Sequence, residues 1–416
     1  MEERKSALDV PAAVVEITRR LEERGYATWA VGGAVRDALL GSSRTDWDLA
    51  TAATPETVRK LFRPSYPIGL RFGTVGVRGR DGLVYEVTTF RRDIETDGRH
   101  AVVEYADTLD EDLARRDFTI NAIAYHPLRH EIHDPFDGRS DLQRRLLRCV
   151  GDPARRFAED YLRVLRGLRF AGRYGLEVET ATWTALTTAV PGTSRLSGER
   201  VREELIKVLE APGAPAALEL YRRSGLLAEL FPELDRLDNE EWGRRLRAIA
   251  DLPRDPVRLR LALLFEPLGE TAEETLSRLR FSNAEVRDVT ELGAALREPL
   301  PPPDDVKAGR RWLRAVTPEW AEDALRLQAA LAEGWDAEED ERRRLEAQAA
   351  RVREILERGD PVTLSDLAID GNDLKELGLE PGPDFGRILD ACLDAVIEDP
   401  SLNRRPALLE LAREMT

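Results

Sequence analysis

With 416 residues, 42% apolar and 34% charged, the chain is long enough for two to four domains and has the composition of a globular protein. No apolar stretch approaches the roughly 20 residues that cross a membrane, and "MEERKSALDV" carries no signal-peptide pattern. The cytoplasm is therefore the expected compartment, with no membrane partner. The net charge of −16 argues against a nucleic-acid partner only as a total. Residues 1–210 hold 33 basic against 34 acidic residues, and the remainder 29 against 44. Exposed charges are screened beyond about 8–10 Å, so a local arginine cluster still binds phosphate.

Residues 8–24 read as an amphipathic helix ended by Gly25. "YATWAVGG" reads as a strand into a glycine turn, "AVRDALLG" as a short helix and "DWDLAT" as a second strand. "TPETVRKLF" opens on a Thr-Pro helix start. "FGTVGVRG" and "LVYEVTTFR" alternate like the arms of a hairpin joined through "RGRDG". Polar, glycine-containing "RRDIETDGRHAVVEYADTLDEDLA" reads as a surface loop, and "RRDFTINAIAY" as an apolar helical face whose N-terminus Asp117 caps. After about residue 150, helical patterns replace strand patterns, interrupted by the linker "REPLPPPDD" at 297–305. The expected fold is α+β, a small N-terminal head with a mixed sheet followed by a long all-helical extension. Cys149 and Cys392 match no metal or redox spacing and read as reduced packing residues.

Asp46 and Asp48 flank Trp47. On a strand, residues two apart share a face at roughly 6–7 Å, so both acids point one way and the tryptophan faces the core. Like charges held that close call for a cation or a shared proton; two solvated acids at an exposed strand end are the alternative. Gly32 and Gly33 leave backbone N–H groups free at a helix start, a phosphate-binding arrangement to which Arg36 adds charge. A tight turn that simply needs glycine is the alternative. Taken together, glycines and arginine hold a triphosphate while the two acids hold divalent metal beside it. With all-oxygen ligands and only four histidines, Mg²⁺ is the expected ion. Glu86 is a candidate third carboxylate or a surface acid. Arg116 and Asn121 suit contacts to phosphate and ribose. Asp160 and Arg163, three residues apart in "AEDYLRVLRGLRF", read either as a surface ion pair or as a base reader. The carboxylate accepts from an exocyclic amino group and the guanidinium donates to a ring nitrogen, which fits C and A and rejects U and G. Arg166 continues the row towards a phosphate, and Arg169 lies about half the helix circumference away from Asp160.

"GGAVRDALLG…DWDLAT", "RRDFTINAIAY", "EDYLRVLRGLRF" and "SGERVREEL", in this order over residues 27–210, resemble class II tRNA nucleotidyltransferases, the CCA-adding enzymes and their bacterial poly(A) polymerase relatives. The resemblance implies a nucleotidyltransferase head at 1–150, a nucleotide-selecting neck at 151–212, a body at 213–300 and a tRNA-binding tail at 301–416. It implies that Asp46 and Asp48 are catalytic metal ligands, with Glu86 the candidate third. Gly32, Gly33, Arg36, Arg116, Asp117, Asn121, Asp160, Arg163, Arg166 and Arg169 are the expected nucleotide-binding residues, and Glu199 and Arg200 would brace the neck. Expected partners are CTP, ATP and tRNA, bound at its 3′ end and at its elbow. The expected activity is template-independent addition of CMP and AMP to the tRNA 3′ end. A CC-only, A-only or poly(A) enzyme is the same-fold alternative, and a non-catalytic tRNA-binding protein the alternative of another class. The resemblance further implies that Asp97 and Arg99 belong to a lever that reshapes the pocket between C and A addition. From about residue 361, glycine turns near Gly371, Gly382 and Gly386 are expected to meet tRNA phosphates. All four histidines lie between 100 and 133, so the helical half cannot supply a histidine-based hydrolase site.

Overall fold

The computed structural model describes residues 7–42, 46–69, 72–96, 101–334 and 339–415. Asp97 and Arg99 lie outside them. The chain divides into two compact units, one formed by residues up to 208 with 216–232, the other by 209–215 with 233–416.

The first unit is built on a mixed seven-stranded sheet in the order β3-β4-β5-β2-β1-β8-β9. Its strands are β1 (Thr28–Val31), β2 (Asp48–Thr51), β3 (Ser65–Gly69), β4 (Thr74–Arg78), β5 (Val84–Thr89), β8 (Ala124–His126) and β9 (Glu131–His133). Helix α1 (Ala12–Glu22) starts behind Pro11, which lacks the N–H a helix interior would need, and buries Val14, Ile17 and Leu21 at helical spacing. Helix α2 (Gly33–Leu39) follows β1 directly, and α3 (Pro55–Leu61) is capped by the Thr54 side chain on Thr57 N–H. The hairpin β4–β5 forms as its alternation predicts, with Val77 opposite Tyr85. The edge strand β3, short and proline-containing, has no clear period in sequence.

Three expectations are corrected. In the stretch expected to be a loop, β6 (Arg91–Thr96) pairs antiparallel with β7 (Ala101–Tyr105), and the chain then enters the capping-box helix α4 (Leu109–Ala114). "RRDFTINAIAY" is no helix. Thr119–Asn121 form one 3₁₀ turn and the chain then enters β8, pairing Tyr125 with Ala30 and Ala124 with Val31. Phe118, Ile120, Ala122, Ile123, Ala124 and Tyr125 are all fully buried, and a short apolar run buried on both sides does not declare its period. Third, the helix expected through "AEDYLRVLRGLRF" is broken: α6 (Pro153–Glu159) stops at Asp160, whose backbone is extended, and α7 (Leu162–Tyr174) starts afresh.

After α5 (Gly138–Gln143), the short strands β10 (Leu146–Leu147) and β11 (Glu177–Val178) pair in parallel. Helices α8 (Thr180–Ala189) and α9 (Gly198–Leu209) continue this unit. Gly172 of α7 is required by packing, since a Cβ there would come within 2.5 Å of the Ala217 backbone.

The second unit is helical throughout its described residues. Its proline-rich stretch is no loose tether: Gln348 Nε2 donates to the Leu300 and Pro301 carbonyls at 3.0 and 2.9 Å, and Arg351 Nε to that of Pro303 at 2.7 Å. Near the C-terminus Ile369, Leu374, Ile388, Cys392, Val396 and Leu408 form a separate small core. Gly371 opens one helix there and Gly382 precedes another, whereas Gly386 lies inside the helix Pro383–Glu398. Both cysteines are buried and reduced. No helix of the described residues is long and apolar enough to cross a membrane.

Candidate active site

Register places the acids. Val31, the last residue of β1, pairs with Asp48, and the parallel pairing of Leu49 with Val87 sets Glu86 beside Asp48 on the same sheet face. Trp47 is 2% exposed on the opposite side and pins the chain there, while Asp46 stands exposed just ahead of the strand. Burial, then the charges of Asp46 and Glu86, push the Asp48 carboxyl up to about 6 against the opposing pull of Arg116. No three carboxylate, histidine or cysteine side chains among the described residues close a metal site by themselves. A partial set fits Mg²⁺ nonetheless, because that ion takes one or two carboxylates and completes its sphere with substrate phosphate and water.

The sign of the Asp48 shift gives a stability prediction. A carboxyl raised from 3.8 to about 6 favours folding below pH 3.8, and that contribution is lost as pH rises through 6. In EDTA at pH 7.5, Asp48→Asn should therefore unfold at higher denaturant than the parent, by on the order of 2 kcal/mol. The difference should vanish by pH 4. A variant no more stable than its parent at pH 7.5 would show that the carboxylate is not strained.

Opposite the acids lies the glycine turn. Gly32 has φ +77°, and a Cβ there would approach Arg116 Nη1 to 2.9 Å, so backbone and space both call for glycine. Asp48, Glu86 and the turn line one cavity of about 410 Å³, whose far wall carries Arg36, Arg91, Arg115, Arg116, Arg163 and Arg166. Arg116 donates through Nη2 to Asp112 at 3.2 Å and through Nη1 to the Asn121 carbonyl at 3.3 Å; its Nε is buried with no hydrogen-bond partner among the described residues. Burial would raise the Asp112 carboxyl, but the guanidinium groups of Arg116 and Arg115 outweigh it and hold it below the usual range.

Asp117 organises the centre. Its Oδ1 accepts from Phe118 N–H and Asn121 Nδ2, both at 2.9 Å, and its Oδ2 from Arg166 Nε at 2.8 Å. Burial alone would raise this carboxyl; Arg166 and these hydrogen bonds pull it down to about 2. Asn121 in turn accepts from Arg36 Nη1. Arg36 also bonds Asp37 at 2.9 Å and the Tyr174 hydroxyl at 2.6 Å. The helix after the glycine turn is thus tied through Arg36 to α7, and Arg36 is buried within that network rather than projecting alone.

On α6 and α7 the pairing differs from expectation. Asp160, at the break between α6 and α7, accepts from Arg200 Nη2 at 2.8 Å and from Leu162 N–H at 3.1 Å. Arg163 instead pairs with Glu159 at 2.6 Å. A helix ending at 159 removes the spacing that would have joined Asp160 to Arg163, although both side chains still line the cavity. Arg169 is buried and paired with Glu204 at 2.6 Å, outside the cavity lining. Phe170 carries the guanidinium groups of Arg36, Arg166 and Arg169 at 5.1, 5.2 and 4.3 Å from its ring centre. Sequence reasoning missed Asp112, Tyr174, Phe170 and Glu204. For Glu204 a signal existed, since it lies within "SGERVREEL".

A mixed sheet with paired acids beside a glycine turn, facing an arginine-lined cavity, defines a nucleotidyltransferase head. Three family models match in succession: the poly A polymerase head domain over residues 28–148, the "Probable RNA and SrmB- binding site of polymerase A" over 175–237, and tRNA nucleotidyltransferase domain 2 over 259–412. The CCA-adding enzyme of Leuconostoc mesenteroides is 33% identical over 410 residues, covering 96% of this chain and 95% of that one. That of Streptococcus mutans is 31% identical over 415 residues, covering 96% of each. A crystal structure of the Bacillus stearothermophilus CCA-adding enzyme in complex with CTP superposes with a TM-score of 0.77 at 32% identity, over 97% of this chain and 96% of that one. The chain belongs to the CCA-adding enzymes, the class II tRNA nucleotidyltransferases.

Proposed function

We propose that the cavity holds an incoming CTP or ATP with its triphosphate against Gly32, Gly33 and Arg116 and its base towards Asp160 and Arg163, for transfer to the 3′-hydroxyl of tRNA. The activity is the family's, addition of CMP and AMP to the tRNA 3′ end. The observation that carries the assignment of residues is the opposition, within one cavity, of an acidic edge and an arginine wall. CC-only, A-only and poly(A) readings are not favoured, since relatives matching nearly the whole chain are CCA-adding enzymes.

Asp46 and Asp48, with Glu86 beside them, would hold Mg²⁺. When bound, the ion supplies Lewis-acid stabilisation of the reacting phosphoryl group and its leaving pyrophosphate. The chain's own part is positioning and charge. Arg116 lines the cavity beside the glycine turn, with a Cβ on Gly32 falling 2.9 Å from its Nη1, which supports its role on the phosphates. Asp117, by fixing Arg166 and Asn121, keeps two further polar groups aimed into the cavity. The head and the α6–α9 helices serve the nucleotide and the tRNA 3′ end, and the helical residues from about 361 hold the elbow.

Base choice tests this reading. Each carboxylate oxygen has more than one acceptor site, so Asp160 can hold Arg200 and still accept from an amino group. Asp160→Ala should lower C-over-U discrimination by roughly ten- to a hundredfold, the worth of one charged hydrogen bond. Competition between labelled CTP and UTP on tRNA lacking CCA measures it. Unchanged discrimination would reduce Asp160 to a clamp for Arg200.

A further inference from the structure

Beyond the carboxylates the sheet continues, and its outer strands carry an exposed apolar strip. Gly76 of β4 lies directly across from Glu86 of β5, and Tyr66 of β3 lies across from Gly76, all on the face that bears Asp48. The register of β3 shifts between Tyr66 and Gly69, and within that shift the Ile68 side chain lies over Gly76 on the same face. Ile68 and Val84 close over Gly76: a Cβ built on this glycine would meet Ile68 Cδ1 at 2.4 Å and Val84 Cγ1 at 2.9 Å. Tyr66, Ile68 and Val84 are 37%, 51% and 45% exposed. Apolar side chains gathered at an edge strand invite pairing with a partner unless something covers them.

The order of strands says what covers them. Reading across one sheet face, the glycine turn ends β1, Asp48 stands on β2, Glu86 on β5, Gly76 on β4 and Tyr66 with Ile68 on β3. Displacement at the α-phosphorus is in line, so the attacking hydroxyl approaches from the side opposite the departing pyrophosphate. With the triphosphate at the glycine turn, the attacking 3′-terminal nucleotide lies on the β5–β4–β3 side. Two strand spacings, about 10 Å, separate β5 from β3. That is the reach of one nucleotide from its 3′-oxygen to the far edge of its base. A single-stranded RNA end whose base must change from addition to addition needs a platform indifferent to sequence, which apolar and aromatic side chains provide.

We propose that Tyr66, Ile68 and Val84 form the seat for the base of the 3′-terminal nucleotide of the acceptor RNA. The seat rests on the functional reading above and assigns its second substrate a place. Substitutions on this exposed strip leave the core intact, so Tyr66→Ala/Ile68→Ala should melt with the parent and bind CTP unchanged. Its KM for tRNA ending in CC should rise about tenfold, the worth of one stacked base. The discriminating measurement uses the same tRNA with an abasic 3′-terminal ribose. The parent should lose about tenfold on that substrate and the double variant should lose nothing further, because base and seat are one interaction. Independent, additive losses would place the base elsewhere and overturn the proposal. An unchanged KM together with a concentration-dependent dimer of the parent that the double variant abolishes would overturn it too, assigning the strip to a second copy of the chain. A parent enzyme that transfers no nucleotide to intact tRNA would instead refute the functional reading beneath it.

Discussion

Replacing Asp46 or Asp48 with alanine should abolish nucleotide transfer in Mg²⁺ while tRNA binding stays within a few-fold. The two effects separate because RNA contacts are spread over phosphates along the molecule, whereas on the proposed assignment the reacting phosphoryl group depends on metal that this one pair of acids would hold. Stabilisation by a bound divalent ion is worth several kcal/mol at the transition state, and each 1.4 kcal/mol is tenfold in rate, so transfer should fall by at least about a thousandfold. Asp48→Ala should at the same time remove the buried charge, and with it the repulsion from Asp46 and Glu86, that raise this carboxyl to about 6, leaving the fold no less stable in EDTA at neutral pH. Lost activity with preserved or increased stability is the signature of a strained functional group, and a collapsed fold cannot produce it. Substantial turnover by either variant would remove the carboxylates from the chemistry.

Asp117→Ala should behave in the opposite way, destabilising the first unit as well as impairing catalysis. Its carboxylate is nine-tenths buried and holds Arg166, Asn121 and the Phe118 N–H, and Asn121 holds Arg36. The Arg166 side chain is 33% exposed, so water takes up part of the lost partnership, and removing Asp117 costs about 1–3 kcal/mol. Because the pair is lost as pH falls through about 2, the cost should be undiminished from pH 5 to 8. Chemical denaturation across that range measures it. A cost below about 1 kcal/mol would mean that water replaces Asp117 around Arg166.

These two acids also show how far the sequence could be read. Asp48 and the buried Trp47 are legible because alternation is local, although the strand begins only at Asp48 and leaves Asp46 exposed ahead of it; Gly32 is legible because its backbone conformation excludes other residues. The apolar run 118–125 is consistent with helix or strand until its neighbours are known, and its pairing with β1 decides. Asp160 and Arg163 carry helical spacing across a point where the helix breaks, so a local rule assigned each the wrong partner. Arg169 with Glu204, and Arg36 with Tyr174, join residues 35 and 138 positions apart, and no pattern in one sequence announces such pairs. The chemistry-bearing types were legible; which of them face the cavity and which hold the others in place depends on tertiary packing.

The most direct test is the length of product formed on tRNA lacking all of CCA, given CTP and ATP together in Mg²⁺. Exactly three nucleotides, two C and then one A, with nothing added to a tRNA already ending in CCA, is the predicted result. Products that stop at two, an untemplated run of A, or no addition at all would contradict it.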